Sequence, residues 1–402
     1  MLSFKTHMKK RILYIHHGQG LGGAPLSLLA LIKTLDRTRY HPMVLFLWNS
    51  EVIDLYKQQG IEVYGPVGRS DFSHTAIWNF KWYHLPYLVR AIKDTIITAC
   101  STAHIWFDRL QPNLVHLNTS SLIAWGYVAH KKKIPVVWHI REPLAPGYFG
   151  LRKKLITSCV SRYATIIISI SNNDAKPWAT DHRTHIIPNP VDHTVFNPES
   201  FTNKNPVQPT ILFVGGMSRE KGTFLILKVF QQLLTRVPNA HLVIAGYFDR
   251  TKKFPFYKKF FPEYRFVKAV DRLYSQLATH VTLTGPTTRI PELLSSATAL
   301  VFPATVGHFA RPVIEAGFMK KPVIASRLAP LDELVIDGAT GFLCHAGNID
   351  QWANKLECIL SNQELCQNIG LNAYTFCRQR FNLGTYGEKI GIIYTSFWED
   401  TR

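Results

Sequence analysis

The 402-residue sequence is short of acid: 27 Asp and Glu stand against 46 Lys and Arg, a formal net charge of +19 that runs through both halves. That balance brings nucleic acid, a nucleotide ligand and an anionic lipid surface into consideration, and charge alone does not choose among them. Cysteine is scarce too. The six thiols, Cys100, Cys159, Cys344, Cys358, Cys366 and Cys377, form no C-x-x-C pair and meet no histidine cluster at ligand spacing. No metal site is expected, and reduced thiols in the cytoplasm fit the pattern. Long apolar runs are missing: the most hydrophobic region, 87–107, is broken by Arg90, Lys93 and Asp94, so no segment is expected to span a membrane. The run from Ile12 to Ile15 is too short for a signal-peptide core and reads as a first strand. There is no low-complexity segment and no repeat of fixed period.

What is present is a globular composition, 46% apolar and 18% charged, in a chain long enough for two domains. Short β-branched runs recur with helical stretches between them: "RILYIHH", "HPMVLFLW", "NLVHLN", "PVVWHI" and "TIIISIS", then "TILFVGG", "AHLVIAG", "HVTLTG", "TALVFPA" and "KPVIAS". Runs of this length ending in Gly, Asn, Ser or His read as buried strands of parallel βα units. The expectation is α/β: two Rossmann-like, doubly wound parallel-sheet domains. The polar stretch Asn197 to Pro209, with three prolines, reads as the linker, dividing the chain into 1–205 and 206–380. Residues 381–402 read as a helix with Tyr386, Ile390, Ile393, Tyr394 and Phe397 on one face, which must pack on something.

In open parallel sheets ligands bind beyond the carboxyl ends of the strands, so the residues after each strand carry the functional information. After the first strand comes "HHGQGLGGAP", where Gly22 and Gly23 let backbone N–H groups approach a ligand at a helix start. The glycine order differs from G-x-G-x-x-G, and Leu47, Trp48 and Asn49 close the second strand without an acid, which disfavours a nicotinamide cofactor. The second half opens with "TILFVGGMSREKGTFLIL": Gly215 and Gly216, a loop with Arg219 and Lys221, then a helix. Amides, a helix start and a flexible cation make an anion site suited to phosphate. In "GHFARPVIEAG" a helix is expected to begin near Pro312, which puts the carboxylate of Glu315 in its first turn, able to accept two hydroxyl hydrogen bonds as in the grip on a ribose.

Together these stretches resemble the GT-B glycosyltransferases, and most closely glycosyltransferase family 4, over nearly the whole chain. "IIPNPVD" (186–192) resembles the family's "IPNGVD", and "VGGMSREKG" (214–222) resembles "VGRLxxEKG". "HFARPVIEAGFMKKPVIAS" (308–326) is similar to "GFGxPxxEAMAxGxPVIas", and "DELVIDGATGFL" (332–343) to "pEiVxdgxtGxLv". His139 in "PVVWHIRE" matches a histidine that commonly lines the donor-sugar site, and "GLGGAP" matches the glycine loop. The resemblance implies retaining transfer of a hexosyl-type sugar from a nucleotide-diphosphate donor, with no cofactor and no required metal. By position, Lys221 would neutralise the diphosphate. The amides of Phe309, Ala310 and Arg311, with Gly22 and Gly23, would hold phosphate and sugar oxygens, Glu315 would hold the ribose, and His139 would face the sugar. The C-terminal helix would cross back to the first domain.

Two departures stand out. Gly307 occupies the place of the first of the family's two glutamates, with His308 beside it as a neutral hydrogen-bonding substitute, and Gly216 occupies the place of an arginine, whose charge Arg219 would supply. Ala329 and Pro330 replace a pair of glycines. The acceptor is expected to be a glycan, lipid-linked, in envelope polysaccharide synthesis at the inner membrane face, where "NFKWYHLPYLVRAIK" (79–93) suits a peripheral contact with anionic lipid. A nucleotide-sugar-binding protein without turnover, or a nucleotide-sugar epimerase on the same fold, remains as the alternative. Nucleic acid is not an expected partner.

Overall fold

The computed structural model describes residues 8–18, 20, 22–68, 89, 93–94, 99–201, 208–250 and 262–399. The segment 79–93 expected to meet lipid lies outside them except for Val89 and Lys93, as do residues 202–207 of the expected linker. By internal contacts the chain divides into one unit made of Met1–Pro190 with Leu383–Arg402, and a second made of Val191–Asn382.

The first unit is built on a parallel sheet with strands β1 (Lys10–His16), β2 (Tyr40–Phe46), β3 (Glu62–Tyr64), β4 (Leu114–Leu117), β5 (Val136–Ile140), β6 (Ile166–Ser169) and β7 (Thr184–Ile186), in the order β3-β2-β1-β4-β5-β6-β7. Its central strands are buried and mostly apolar because both faces are covered, with His116 and His139 as polar exceptions on β4 and β5. Along β1, Leu13 and Ile15 enter the core on one face, with Trp125 and Trp138, while Ile12 and Tyr14 enter the core on the other. Each aliphatic side chain so buried contributes roughly 1.5–3 kcal/mol. Gly126 is required where it stands: a Cβ there would run into the indole of Trp138.

The terminal helix Leu383–Glu399 belongs to this unit. Its Tyr386, Ile390, Ile393 and Tyr394 are buried in the same core as Ile12 and Tyr14, which supplies the partner its apolar face demanded. Gly387 lets it lie against Thr34, at the end of the helix Gly23–Lys33.

The second unit repeats the plan with β8 (Thr210–Val214), β9 (His241–Ala245), β10 (Val281–Gly285), β11 (Ala299–Phe302), β12 (Val323–Ser326) and β13 (Gly341–Cys344), in the order β10-β9-β8-β11-β12-β13, every described pair parallel. In each sheet the strand order reverses beside the first strand, between β1 and β4 and between β8 and β11. The crevice at that point is where such sheets take ligands. Among the described residues no helix is long and apolar enough to cross a membrane.

Candidate functional site

In the second unit the loops after β8 and β11 are tied together at the reversal point. Thr305 donates through its amide to Glu220 O at 2.8 Å and through its hydroxyl to Arg219 O at 2.9 Å. Gly222, at φ 86°, lies so close under the Pro303 carbonyl that no Cβ fits. Inside the first loop the buried Thr223 hydroxyl donates to Gly216 O at 2.6 Å, and Ser218 N donates to that hydroxyl at 2.8 Å. A rigid frame results, and the helix Thr223–Leu233 leaves from it.

Lys221 sits on this frame. Its ammonium has no ion pair among the described residues, and burial depresses its pKa below the ordinary lysine value. Near it, His308 donates from Nδ1 to Val306 O at 3.0 Å and lies edge-on to Phe302. Burial chiefly, and the charge of Lys221 after it, hold this imidazole neutral, so that Nε2 is an acceptor. The helix Arg311–Phe318 begins just beyond, with no side-chain cap, and the N–H groups of Phe309 and Ala310 have no acceptor among the described residues. One unpaired cation and a row of unused amides therefore share one loop pair.

Several expected contributors have other occupations. The amides of Gly215 and Gly216 both donate to Ala245 O at 3.0 Å, so these glycines serve close approach between loops rather than anion binding. The guanidinium of Arg219 donates to Pro262 O at 2.8 Å and stacks 5.0 Å from the Phe266 ring, where packing on the helix Pro262–Leu277 uses its charge. Glu315 is not in the first helical turn. The helix begins one residue before Pro312, which makes Glu315 its fifth residue, and its partner is Arg311, whose Nε donates to Oε1 at 2.6 Å. Burial raises the carboxyl pKa while Arg311 opposes the rise. Only Oε1 of the carboxylate takes part in this pair.

Both departures from the family pattern have a steric cause. At Gly307 a Cβ would collide with the carbonyl oxygen of Ala329, the residue that replaces one of the usual glycines. At Gly216, with φ 59°, it would collide with the backbone of Tyr247. At both positions neighbouring backbone occupies the space that a side chain would need.

In the first unit Gly22 is the uncapped N-cap of the helix beginning at Gly23. His139, near the carboxyl end of β5, is fully buried and paired through Nδ1 with His116 Nε2 at 3.1 Å. His116 Nδ1 meets the Tyr394 hydroxyl at 2.7 Å, and that hydroxyl donates to Tyr14 at 3.0 Å. Since Tyr394 spends its proton on Tyr14, His116 carries its proton on Nδ1, His139 donates from Nδ1, and His139 Nε2 is a bare acceptor without a protein partner. Burial holds both imidazoles neutral, well below the ordinary histidine range, with the Arg141 charge adding to it.

A model of glycosyl transferases group 1 matches residues 198–376, and a model of glycosyltransferase family 4 matches residues 21–195. The chain belongs to glycosyltransferase family 4. Among relatives of this family 4 chain, the alpha-D-kanosaminyltransferase of Streptomyces kanamyceticus is 24% identical over 191 residues, 46% of this chain and 45% of that protein. The capsular polysaccharide biosynthesis glycosyltransferase CapM of Staphylococcus aureus is 21% identical over 189 residues, 47% and 46%. This chain thus spans about half the length of the curated relatives it matches. The crystal structure of Anabaena Alr3699/HepE in complex with UDP and glucose superposes with a TM-score of 0.73 at 21% identity, covering 96% of this chain and 99% of that one. At that identity the likeness speaks for the fold, which is GT-B.

Sequence reasoning on this family 4 chain missed the polar cluster of His16, His116, Asn118, Arg141 and Asn189, and read Tyr386 and Tyr394, which join it, only as packing residues of the terminal helix. The available signal was that β1 and the "HL" end of β4 place polar residues at neighbouring strand ends, as β5 does with His139.

Proposed function

We propose that this chain is a retaining, hexosyl-type glycosyltransferase that moves a sugar from a nucleotide-diphosphate donor to a glycan acceptor. What supports the reading is Lys221, a partly buried ammonium without a carboxylate, beside the unused amides of Phe309 and Ala310. Such a group is stabilised by an anion and neutralises the diphosphate as the bond from the sugar's anomeric carbon to the phosphate oxygen breaks. The acceptor oxygen then bonds to that carbon on the same face, and its proton passes to the leaving phosphate, so no protein base is needed. Glu315 takes a ribose hydroxyl on its second oxygen, and His139 Nε2, as a bare acceptor, takes a sugar hydroxyl. The amides of Phe309, Ala310 and Arg311 hold phosphate oxygens.

The similarity to CapM, named for capsular polysaccharide biosynthesis, favours an envelope glycan as acceptor; that this glycan is lipid-linked and met at the inner membrane face completes the proposal. The UDP and glucose in the Anabaena relative make a uridine donor the first to try. A thermal-shift screen of UDP, GDP, ADP, CMP and TDP and their sugars, followed by proton NMR of the transferred linkage, tests the proposal. One nucleotide diphosphate stabilising the wild type but neither Lys221→Ala nor Glu315→Ala, with the anomeric configuration of the donor retained, is the expected result. Inversion, or equal binding by the variants, contradicts it. The closed positions at Gly216 and Gly307 favour one second reading, a nucleotide-sugar-binding protein without turnover, which tight binding with neither transfer nor hydrolysis would identify.

A further inference from the structure

At the carboxyl edge of the first unit's sheet, Arg141 is buried, with 6% of its surface exposed. Its Nε donates to Asn118 Oδ1 at 2.6 Å and its Nη1 to Asn189 Oδ1, both neutral amide oxygens, and its Nη2 has no partner. No carboxylate among the described residues forms an ion pair with it, although a buried guanidinium without a counter-charge costs several kcal/mol. The same network fixes its neighbour. Because Asn118 accepts from the guanidinium through its oxygen, its amide nitrogen is the donor to His16 Nδ1 at 2.9 Å. His16 therefore carries its proton on Nε2, a nitrogen that is buried and likewise without a partner. The Tyr386 hydroxyl lies beside the guanidinium and makes no hydrogen bond of good geometry. His139, two residues before Arg141 on β5, contributes its bare Nε2 acceptor. Arg141 Nη2 and His16 Nε2 are thus unused donors, and the Tyr386 hydroxyl stands beside a positive charge that has no ion pair among the described residues.

We propose that Arg141, His16 and Tyr386 form an anion-binding site in the first unit, taking a phosphate or carboxylate group. This site shares no residue with the Lys221 loops. It stands whether or not they hold a donor, although the identity of its natural ligand rests on the glycosyltransferase reading. Two sources offer such an anion: a charged acceptor and the diphosphate of the donor itself.

The probe is inorganic phosphate, titrated by calorimetry into the full chain carrying Lys221→Ala, at constant ionic strength with chloride as the control anion. Saturable binding is expected, weakened about tenfold or more by Arg141→Gln. Because that variant disturbs a buried network, Asn189→Asp supplies the second arm: it places a carboxylate on the guanidinium from inside, so it should raise Tm and abolish phosphate binding together. Absence of phosphate binding in Lys221→Ala, or binding unchanged by both second substitutions, overturns the proposal. In wild type saturated with UDP, persistent phosphate binding assigns the anion to the acceptor, and its loss assigns it to the donor diphosphate. Failure of UDP to bind wild type sinks the donor reading while leaving the phosphate arm intact.

Discussion

In the first unit the polar side chains at the carboxyl edge of the sheet turn mostly on one another: Tyr14, Tyr394, His116 and His139 form one chain of hydrogen bonds, and His16, Asn118, Arg141 and Asn189 another. In the second unit the same edge is held open by backbone. Thr223 and Thr305 lock the loops through main-chain oxygens, and Lys221 and the amides before the helix Arg311–Phe318 are left unspent. One sheet plan thus gives a buried network of polar side chains in the first unit and a partly buried cation without an ion pair among the described residues in the second. The difference lies in whether side chains or main chain satisfy the strand ends.

The largest expected effect lies in the second unit. Lys221→Ala should lower transfer by roughly 100- to 1,000-fold, a loss of about 2.7–4 kcal/mol of transition-state stabilisation, with Tm unchanged or raised because a desolvated charge is removed. Initial rates and a melt on the same sample check it. A fall in Tm of several degrees with unaltered rates would dissolve the contrast between the units.

Acid should strike the first unit hardest. His16, His116 and His139 are held neutral by burial, with pKa values well below that of an exposed histidine. Below about pH 6.5 the unfolded chain binds protons that the folded chain refuses, so stability is complete above that pH and lost as pH falls through it. Each histidine adds a slope of about 1.4 kcal/mol per pH unit. Urea unfolding between pH 5 and 7 measures the slope, and His116→Gln should reduce it.

Next in size are the two closed positions. Restoring the family residue with Gly307→Glu should cost about 1–3 kcal/mol, since its Cβ meets the rigid carbonyl of Ala329 rather than a movable side chain. Gly216→Arg adds left-handed backbone strain to the same kind of collision. Denaturant midpoints of the two variants give the test, and an undiminished midpoint for Gly307→Glu would mean that the departure is incidental. Smallest is Arg219→Ala, expected to cost less than about 1 kcal/mol from lost packing on Phe266, with nucleotide affinity unchanged.

The fold was legible because buried parallel strands write themselves as short apolar runs, and the terminal helix because Tyr386, Ile390, Ile393 and Tyr394 share one face. Much less of the candidate site could be read. That Lys221 follows a glycine turn is a local fact, visible in nine residues. That Gly215 and Gly216 have no amide to spare depends on Ala245, and that Arg219 is occupied depends on Pro262 and Phe266. The Arg141 cluster draws on strand ends from His16 to Asn189 and on Tyr386 after the second unit. Hydrogen-bond satisfaction among such distant residues leaves no pattern along the chain, and only the missing carboxylate at Gly307 pointed to a crowded loop there.

Most turns on Lys221 as a cation without an ion pair among the described residues, its pKa depressed by burial, which an anionic donor would complete. Calorimetric titration with UDP near pH 9 in two buffers of different ionisation enthalpy measures this directly. Because an incoming anion raises the pKa that burial had lowered, wild type should take up protons on binding UDP, and affinity should fall as pH rises before the ordinary lysine value is reached. Lys221→Ala should bind weakly with no proton uptake. Equal affinity and equal uptake in the two proteins would contradict the assignment.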